Sequence, residues 1–415
     1  MLFTVKDMEK RPAREGERGQ VIPSTKQICP CCGWKESTIF FDLRNVPVEN
    51  NVMTATAEAA LSFPLGDLVL AVCDHCGFIR NTAFNPSLLH YSAGYEDQQG
   101  FSPTFNTYAR DLSMRLIEKY DLHGKDIVEI GCGKGDFLLL FCELGRNRGI
   151  GIDPAVVQSR IRGEAADRVT FVRDHYSEQY AHYPADMVIC RHTLEHIQST
   201  AEFLGTIRHS IGKRLDTIVF FEVPDVTRIL RDLAYWDIYY EHCSYFSPGS
   251  LARLFRACGF EVIDISMAYD DQYLLIEAKP AAEPSIKVHM LEESIEQMNL
   301  NVQYFSSQIS NKLEQWKQRL QQMHIQGKRT AIWGSGSKCV SFLTTLGMKD
   351  EIGCVVDINP NRQGKYIPGV GKEIVPPEFL KVFVPDQVII MNPIYCNEIL
   401  QLLNNMGLTP EVITV

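Results

Sequence analysis

The sequence predicts an α/β protein: a doubly wound parallel sheet, preceded by a cysteine-rich zinc-binding module and followed by a smaller Rossmann-like α/β domain. Three observations carry that expectation. Two Cys-x-x-Cys turns, CPCCG at 29–33 and CDHCG at 73–77, lie near the start. From residue 125 apolar runs alternate with amphipathic stretches around the glycine turn EIGCGKGD. Near residue 326 a similar pattern begins again with RTAIWGSGSK. A chain of 415 residues is too long for one core. The expected division is 1–85, 86–280, 281–325 and 326–415.

In the first piece, a Cys-x-x-Cys turn brings two thiolates onto one ion, and two such turns complete a tetrahedral sulfur site. Cys29, Cys32, Cys73 and Cys76 are the expected zinc ligands, with Cys31 able to replace a neighbour. The motif supplies four sulfurs and no open position. The ion is therefore expected to be structural, holding together a segment with little core of its own. Two redox pairs are the weaker reading, because no strand–helix context of the thioredoxin kind surrounds either turn.

In the second piece, KDIVEIGCGKGDFLLLFCELG (125–145) reads as buried strand, glycine turn and amphipathic helix. RGIGIDP, RVTFVRD, PADMVICRH and DTIVFFEVP supply four more strands, and 260–279 a closing antiparallel pair. In such a sheet the ligand lies beyond the carboxyl ends of the strands. The segment KPAAEPS then reads as a linker to a long helix. Its stripe runs through Leu291, Ile295, Met298, Val302, Phe305, Ile309, Leu313, Trp316, Leu320 and Met323. A strut packed on its own domains is the plainer reading, a dimer-forming coiled coil the sharper one. Monomer and homodimer both stay open.

Bulk properties narrow the partners. A net charge of −10 and a pI near 5.6 argue against an electrostatic hold on nucleic acid or an anionic membrane. The N-terminal MLFTVKDMEKRPAREGERGQ lacks the apolar run of a signal peptide. No apolar segment approaches the roughly 20 residues of a membrane helix. Thirteen cysteines in such a chain favour reduced thiols and metal ligands, and the expected setting is cytoplasmic.

The cofactor follows from the acids around the first glycine turn. Gly131, Gly133 and Gly135 let backbone approach a ligand. A dinucleotide fingerprint places a third glycine where Asp136 stands, and Glu129 lies two residues before the turn. Two carboxylates there repel a pyrophosphate and suit a ligand bearing an amino group or sulfonium. Asp153, about 20 residues on, can accept both ribose hydroxyls, and Asp174 can meet the adenine amino group. The set points to S-adenosylmethionine. A turn closed only for structural reasons does not require acids at all these positions.

Together these motifs resemble the three-domain S-adenosylmethionine-dependent sugar C-methyltransferases, with a class I methyltransferase core, across nearly the whole chain. The resemblance rests on the paired cysteine turns, FSPTFNTYARDL (101–112), EIGCGKG, CRHTLEH (190–196), EVP (222–224), YEHCSYFSPGSL (240–251) and GSGSK…VVDINPNRQGKYIPG. It implies a nucleotide-diphosphate keto-deoxysugar as substrate. It implies Phe101 as a cofactor contact and Arg191 near the methionine end. It also implies His242 as general base, with Glu241 and Tyr239 as polar partners. The chemistry is coherent: methylating carbon beside a ketone needs a base near neutral pH and a donor for the enolate oxygen. His196 is a candidate for that donor, with His192 less favoured; Tyr240, Tyr245, Phe246 and Cys243 are expected to pack or shape the substrate. An O- or N-methyltransferase of another small molecule is the alternative, and a zinc-ribbon RNA methyltransferase a weaker one, since 42–79 carries few basic residues. In the last domain Gly334, Gly336 and Asp357 suggest a nucleotide, yet Cys339 occupies the third glycine position. MNPIY (391–395) resembles an amine-methylating signature but stands in that last domain, where a structural role or contact with that domain's own ligand is expected.

Overall fold

In the computed structural model the described residues are 24–89, 94–283 and 286–415. The N-terminal segment read for a signal peptide lies outside them. The first region consists of β1 (Ser24–Thr25), β2 (Ser37–Pro47), α1 (Ala57–Leu61), β3 (Leu65–Cys73) and β4 (Ile79–Asn81). The strands pair antiparallel in the order β1-β2-β3-β4.

The middle region runs through α2 (Pro103–Tyr120), β5 (Asp126–Ile130), α3 (Asp136–Gly145), β6 (Arg148–Ile152), β7 (Val169–Val172), β8 (Met187–Arg191) and α4 (Thr200–Ile211). It continues with β9 (Ile218–Pro224), α5 (Val226–Asp232), β10 (Ser244–Tyr245), α6 (Pro248–Ala257), β11 (Phe260–Ala268) and β12 (Tyr273–Pro280). Seven strands form one sheet in the order β11-β12-β9-β8-β5-β6-β7. Five are parallel, and β12 lies antiparallel beside β9. The chain leaves β5 toward β6 and later returns to its other side at β8. That reversal opens a crevice at the carboxyl ends of β5 and β8. This is the class I methyltransferase fold.

The tenth strand does not join that sheet. Ser244 and Tyr245 pair with Arg80 and Ile79, so β10 is the edge strand of the N-terminal sheet. The segment bearing His242 is thereby hydrogen-bonded to the strand that follows the second cysteine turn.

The long helix α7 (Ile295–Ile325) starts at Ser294, whose hydroxyl accepts from Gln297 N. Leu291 falls before that cap and is 44% exposed, so the helical stripe begins later than its spacing suggests. Met298, Val302, Phe305, Ile309, Trp316, Leu320 and Met323 are buried. Phe305 meets Phe40 and Phe41 of β2, and Trp316 meets Phe342 of the last domain at 5.1 Å between ring centroids. One apolar cluster thus runs from the N-terminal sheet through α7 into the C-terminal domain. The helix is a strut within the chain. Fully burying each such side chain contributes about 1.5–3 kcal/mol, so the strut couples the domains strongly.

The last region comprises β13 (Thr330–Trp333), α8 (Ser337–Leu346), β14 (Cys354–Val356), β15 (Ile374–Val375), α9 (Leu380–Phe383), β16 (Gln387–Ile390), α10 (Cys396–Asn405) and β17 (Glu411–Thr414). Its all-parallel sheet has the order β15-β14-β13-β16-β17, a second doubly wound arrangement. Among the described residues no helix is long and apolar enough to cross a membrane.

Candidate active site and metal centre

The glycine turn lies between β5 and α3, with Gly131 at φ +73° and Gly135 at φ +89°, values that L side chains rarely adopt. A Cβ at Gly131 would collide with the Thr193 side chain, and one at Gly135 with the Phe171 ring. Gly133 N donates to Asp153 Oδ2 at 2.9 Å, and Ala155 N to Asp153 Oδ1 at 2.6 Å. The carboxylate of Asp153 thus frames the turn with lone pairs to spare. Glu129 is buried, and its Oε2 has no hydrogen-bond partner. Burial pushes its pKa up to about 8, partly opposed by Arg191. An orphaned buried acid beside this turn fits a cationic ligand, as S-adenosylmethionine is. When bound, that cofactor supplies an electrophilic methyl group.

The remaining cofactor candidates divide. Phe101, 39% exposed, stands immediately before Ser102, the N-cap of α2, and lines the large cleft. Asp174 is half-buried and accepts from Gln179 Nε2, Tyr180 OH and His175 N. Arg191 is buried: its guanidinium pairs with Glu222 at 2.9 Å and stacks over Phe137. Neither lies on the cleft wall.

That cleft has a volume of about 320 Å³ and lies between the middle and C-terminal domains. His192, Glu195, His196, Tyr239 and His242 share its wall with Lys338, Asn359, Asn392 and Tyr395. The His242 ring is 4.1 Å from that of Tyr239 and 4.7 Å, edge-on, from that of His196. Burial, then the neighbouring His196 and His192, hold the His242 pKa well below its ordinary value. Burial likewise lowers that of His196, whose Nδ1 lies 3.0 Å from Glu241 O. Both rings are neutral at pH 7. His192 is different. Burial opposes its charge, but Glu222 at 2.6 Å outweighs that and raises its pKa to about 9.

Glu241 Oε1 accepts from Asn50 N at 3.3 Å, and burial pushes the carboxyl up to about 8. Tyr240 is fully buried and donates from its hydroxyl to Asn85 O. Tyr245 OH accepts from Tyr239 N and donates to Tyr239 O, tying the loop to β10. Phe246 packs on Phe78, and Cys243 is buried with Sγ 3.7 Å from Glu195 O. Lys338 and Arg228 both pair with Asp237. These charged residues of the cleft carried no motif and were missed in the sequence.

MNPIY takes a different place from the one expected. Asn392 and Tyr395 line the shared cleft: Asn392 Oδ1 accepts from Gln272 Nε2 at 2.9 Å, and Tyr395 OH pairs with Tyr269 OH and with Gln99 Oε1. Nearby, Glu398 Oε2 accepts from Ser102 Oγ, Thr104 N and Thr104 Oγ1 at 2.7, 3.2 and 2.8 Å. The C-terminal domain thus caps the start of α2.

At the far end of the N-terminal sheet, the sulfurs of Cys29, Cys32, Cys73 and Cys76 all lie within 4.8 Å of one another. Two separations are 3.8 Å (Cys29–Cys76) and 3.6 Å (Cys32–Cys73). A zinc tetrathiolate with bonds of about 2.3 Å has edges of about 3.8 Å, so the donor set fits such an ion. Cys31 is buried but outside the convergent set.

A sheet of this order with an acid-flanked glycine turn at its switch point defines an S-adenosylmethionine-dependent methyltransferase. Residues 104–265 match the profile of a methyltransferase domain family, and 274–409 that of the C-methyltransferase C-terminal domain. The chain is an S-adenosylmethionine-dependent C-methyltransferase that carries both of these domains. C-methyltransferase NovU of Streptomyces niveus is 27% identical over 394 residues, covering 90% of this chain and 91% of that protein. Among solved structures, a magnesium protoporphyrin IX methyltransferase from Synechocystis with bound SAH is 14% identical, covering 43% of this chain and 84% of that one, with a TM-score of 0.32. An O-methyltransferase family protein from Burkholderia thailandensis is 16% identical over 43% and 58% of the two chains, with a TM-score of 0.33.

Proposed function

We propose that this C-methyltransferase acts on a nucleotide-linked keto-deoxysugar, with His242 as the base that forms the enolate. The observation carrying the reading is the neutral His242 ring on the cleft wall, 4.1 Å from Tyr239 and 4.7 Å from His196. A neutral imidazole accepts a proton; the C–H electron pair then becomes the enolate, and His196 or Tyr239 donates to its oxygen. Bound S-adenosylmethionine would supply the methyl group to the enolate carbon, its sulfonium becoming a neutral thioether with the S–C electron pair. Glu129 and Asp153 hold the cofactor. Glu241, raised toward neutrality, keeps the base segment against Asn50 and Ser337. A structural zinc on the four cysteines fixes the sheet whose edge strand follows His242. The chain's setting is cytoplasmic, and it acts as a monomer or homodimer.

Incubation with labelled S-adenosylmethionine and a panel of nucleotide-linked 4-keto-deoxysugars, followed by mass analysis, tests the substrate. The expected product carries one methyl group on carbon; labelling of no member of the panel would remove the sugar assignment. His242→Asn is expected to lower turnover by about 10³-fold while cofactor affinity stays within about twofold. Full turnover by that variant would remove the base.

A further inference from the structure

Among the buried acids that take no part in this chemistry, Glu195 lies beside the proposed base. Glu195 is 2% exposed, and neither carboxylate oxygen has a hydrogen-bond partner among the described residues. One of its oxygens and ring nitrogens of His196 and His242 lie within 4.8 Å of one another. A carboxylate buried without a donor is costly, so a donor belongs there in the working enzyme.

Three imidazoles surround it. His192, whose pKa is raised to about 9, lies between two acids. Its Nε2 is 2.6 Å from Glu222 and its Nδ1 3.7 Å from Glu195 Oε1, an ion pair longer than a hydrogen bond. His196 directs Nδ1 to Glu241 O. His242 keeps a buried Nδ1 with no hydrogen-bond partner among the described residues, and the residue lines the cleft.

We propose that Glu195 is a positioning residue for the His242 base: it accepts the Nδ1–H of His242, directly or across one water, so that Nε2 takes the substrate proton. The inference rests on the reading of His242 as base. A carboxylate oxygen of Glu195 and a ring nitrogen of His242 lie within 4.8 Å, a span that one bridging water serves nearly as well as a direct bond. The pairing selects one tautomer and places an anion beside the imidazolium that forms when the proton arrives. That second effect matters here. His192, His196 and Lys338 all disfavour a positive charge on His242, as does burial. Tyr239, Tyr245, Glu241 and Asp237 also face the ring's surroundings, but Glu241 is held protonated to about pH 8 and Asp237 is paired with two cations. Glu195 faces His192 at 3.7 Å and has no hydrogen-bond donor on either oxygen among the described residues.

Glu195→Gln, in the full-length protein, tests this. The expected result is a roughly 10²-fold loss of kcat, with the cofactor Kd within about twofold. The acidic limb of the kcat profile should move to lower pH, because an imidazolium without its anion loses its proton more readily. Glu195→Asp should recover part of the rate. Wild-type kcat and an unmoved limb in Glu195→Gln, alongside an inactive His242→Asn, would overturn the role of Glu195 alone. Turnover by His242→Asn would overturn the base itself. If the Gln variant fails to fold, ¹⁵N-histidine spectra of the wild-type protein decide: His242 should appear as the Nδ1–H tautomer, and the opposite tautomer would sink the proposal. A second stoichiometric metal, lost in Glu195→Gln, would equally overturn it by showing a cation where the proton should be.

Discussion

The chain contains two glycine turns built to one plan, and they differ in what they leave free. After β5, Gly131 N donates to Ile152 O, and Asp153 accepts from Gly133 N and Ala155 N. After β13, Gly334 N donates to Val356 O, and Asp357 accepts from Ser335 N and Asn359 N. There the likeness ends. Asp357 also takes the Ser335 hydroxyl and Arg362 Nη1, so four donors meet its roughly four lone pairs. Asp153 has two donors and room for two more, the number a ribose diol supplies. Glu129 beside the first turn has an orphaned oxygen; the second turn has the buried thiol of Cys339. The first turn keeps acid capacity for a ligand, although neither its glycines nor Asp153 line the shared cleft. The second turn lines that cleft with Gly334, Gly336 and an Asp357 whose acceptors are already filled.

The comparison is broken most directly by removing each acid in turn. Asp153→Ala is expected to weaken S-adenosylmethionine binding by about 10²-fold, because charge-assisted bonds contribute roughly 1.5–3 kcal/mol each. Asp357→Asn should leave the cofactor Kd within about twofold and instead lower Tm by several degrees. Calorimetric titration and thermal melting of both variants separate the outcomes. A large affinity loss from Asp357→Asn would mean that the second turn also holds the cofactor.

A smaller effect concerns charge. Burial keeps Glu129 protonated up to about pH 8, so at neutral pH a cationic ligand must drive off its proton. Cofactor affinity should therefore rise by up to about tenfold per unit as pH climbs from 6 toward 8. Glu129→Gln should flatten that slope, with affinity fixed near its low-pH value. Titrations in two buffers of different ionisation enthalpy check the release of one proton. An unchanged slope in the variant would locate the titrating group elsewhere.

How much of this was legible in the sequence depended on whether the signal was local. The cysteine turns, the glycine turns and the cluster from Tyr239 to His242 each concentrate their chemistry within a few residues. What joins them does not. Ser244 and Tyr245 form a strand too short for any periodicity, yet they attach the base segment to the N-terminal sheet. Leu291 continued an apolar spacing past the point where the Ser294 cap starts the helix, because a stripe records apolar positions and a cap records where helical geometry begins. Glu195 was hidden for another reason. Its importance lies in lacking a donor, and only the positions of three histidines reveal that. MNPIY reads in sequence as structural or as a contact of the last domain's own ligand, because sequence does not show that Asn392 meets Gln272, 120 residues earlier, in a cleft both domains line.

The smallest expected effect concerns the contact between the C-terminal domain and the start of α2. If the second turn holds no cofactor, the C-terminal domain influences the first by contact, and Glu398 is the contact to test. Its carboxylate gathers three donors at the start of α2, where a negative charge also meets the positive end of the helix. Ser102, one of those donors, directly follows Phe101. Glu398→Ala frees that turn, and Phe101 should sit less firmly over the cofactor. The expected change is about a three- to fivefold rise in KM for S-adenosylmethionine, in line with about 1 kcal/mol for a helix cap, with kcat nearly unchanged. Adding Ser102→Ala to Glu398→Ala should cost less than the sum of the two changes, since they share the Ser102–Glu398 bond while each removes others as well. Additive losses, or a fall in kcat without a change in KM, would show that the domains communicate by another route.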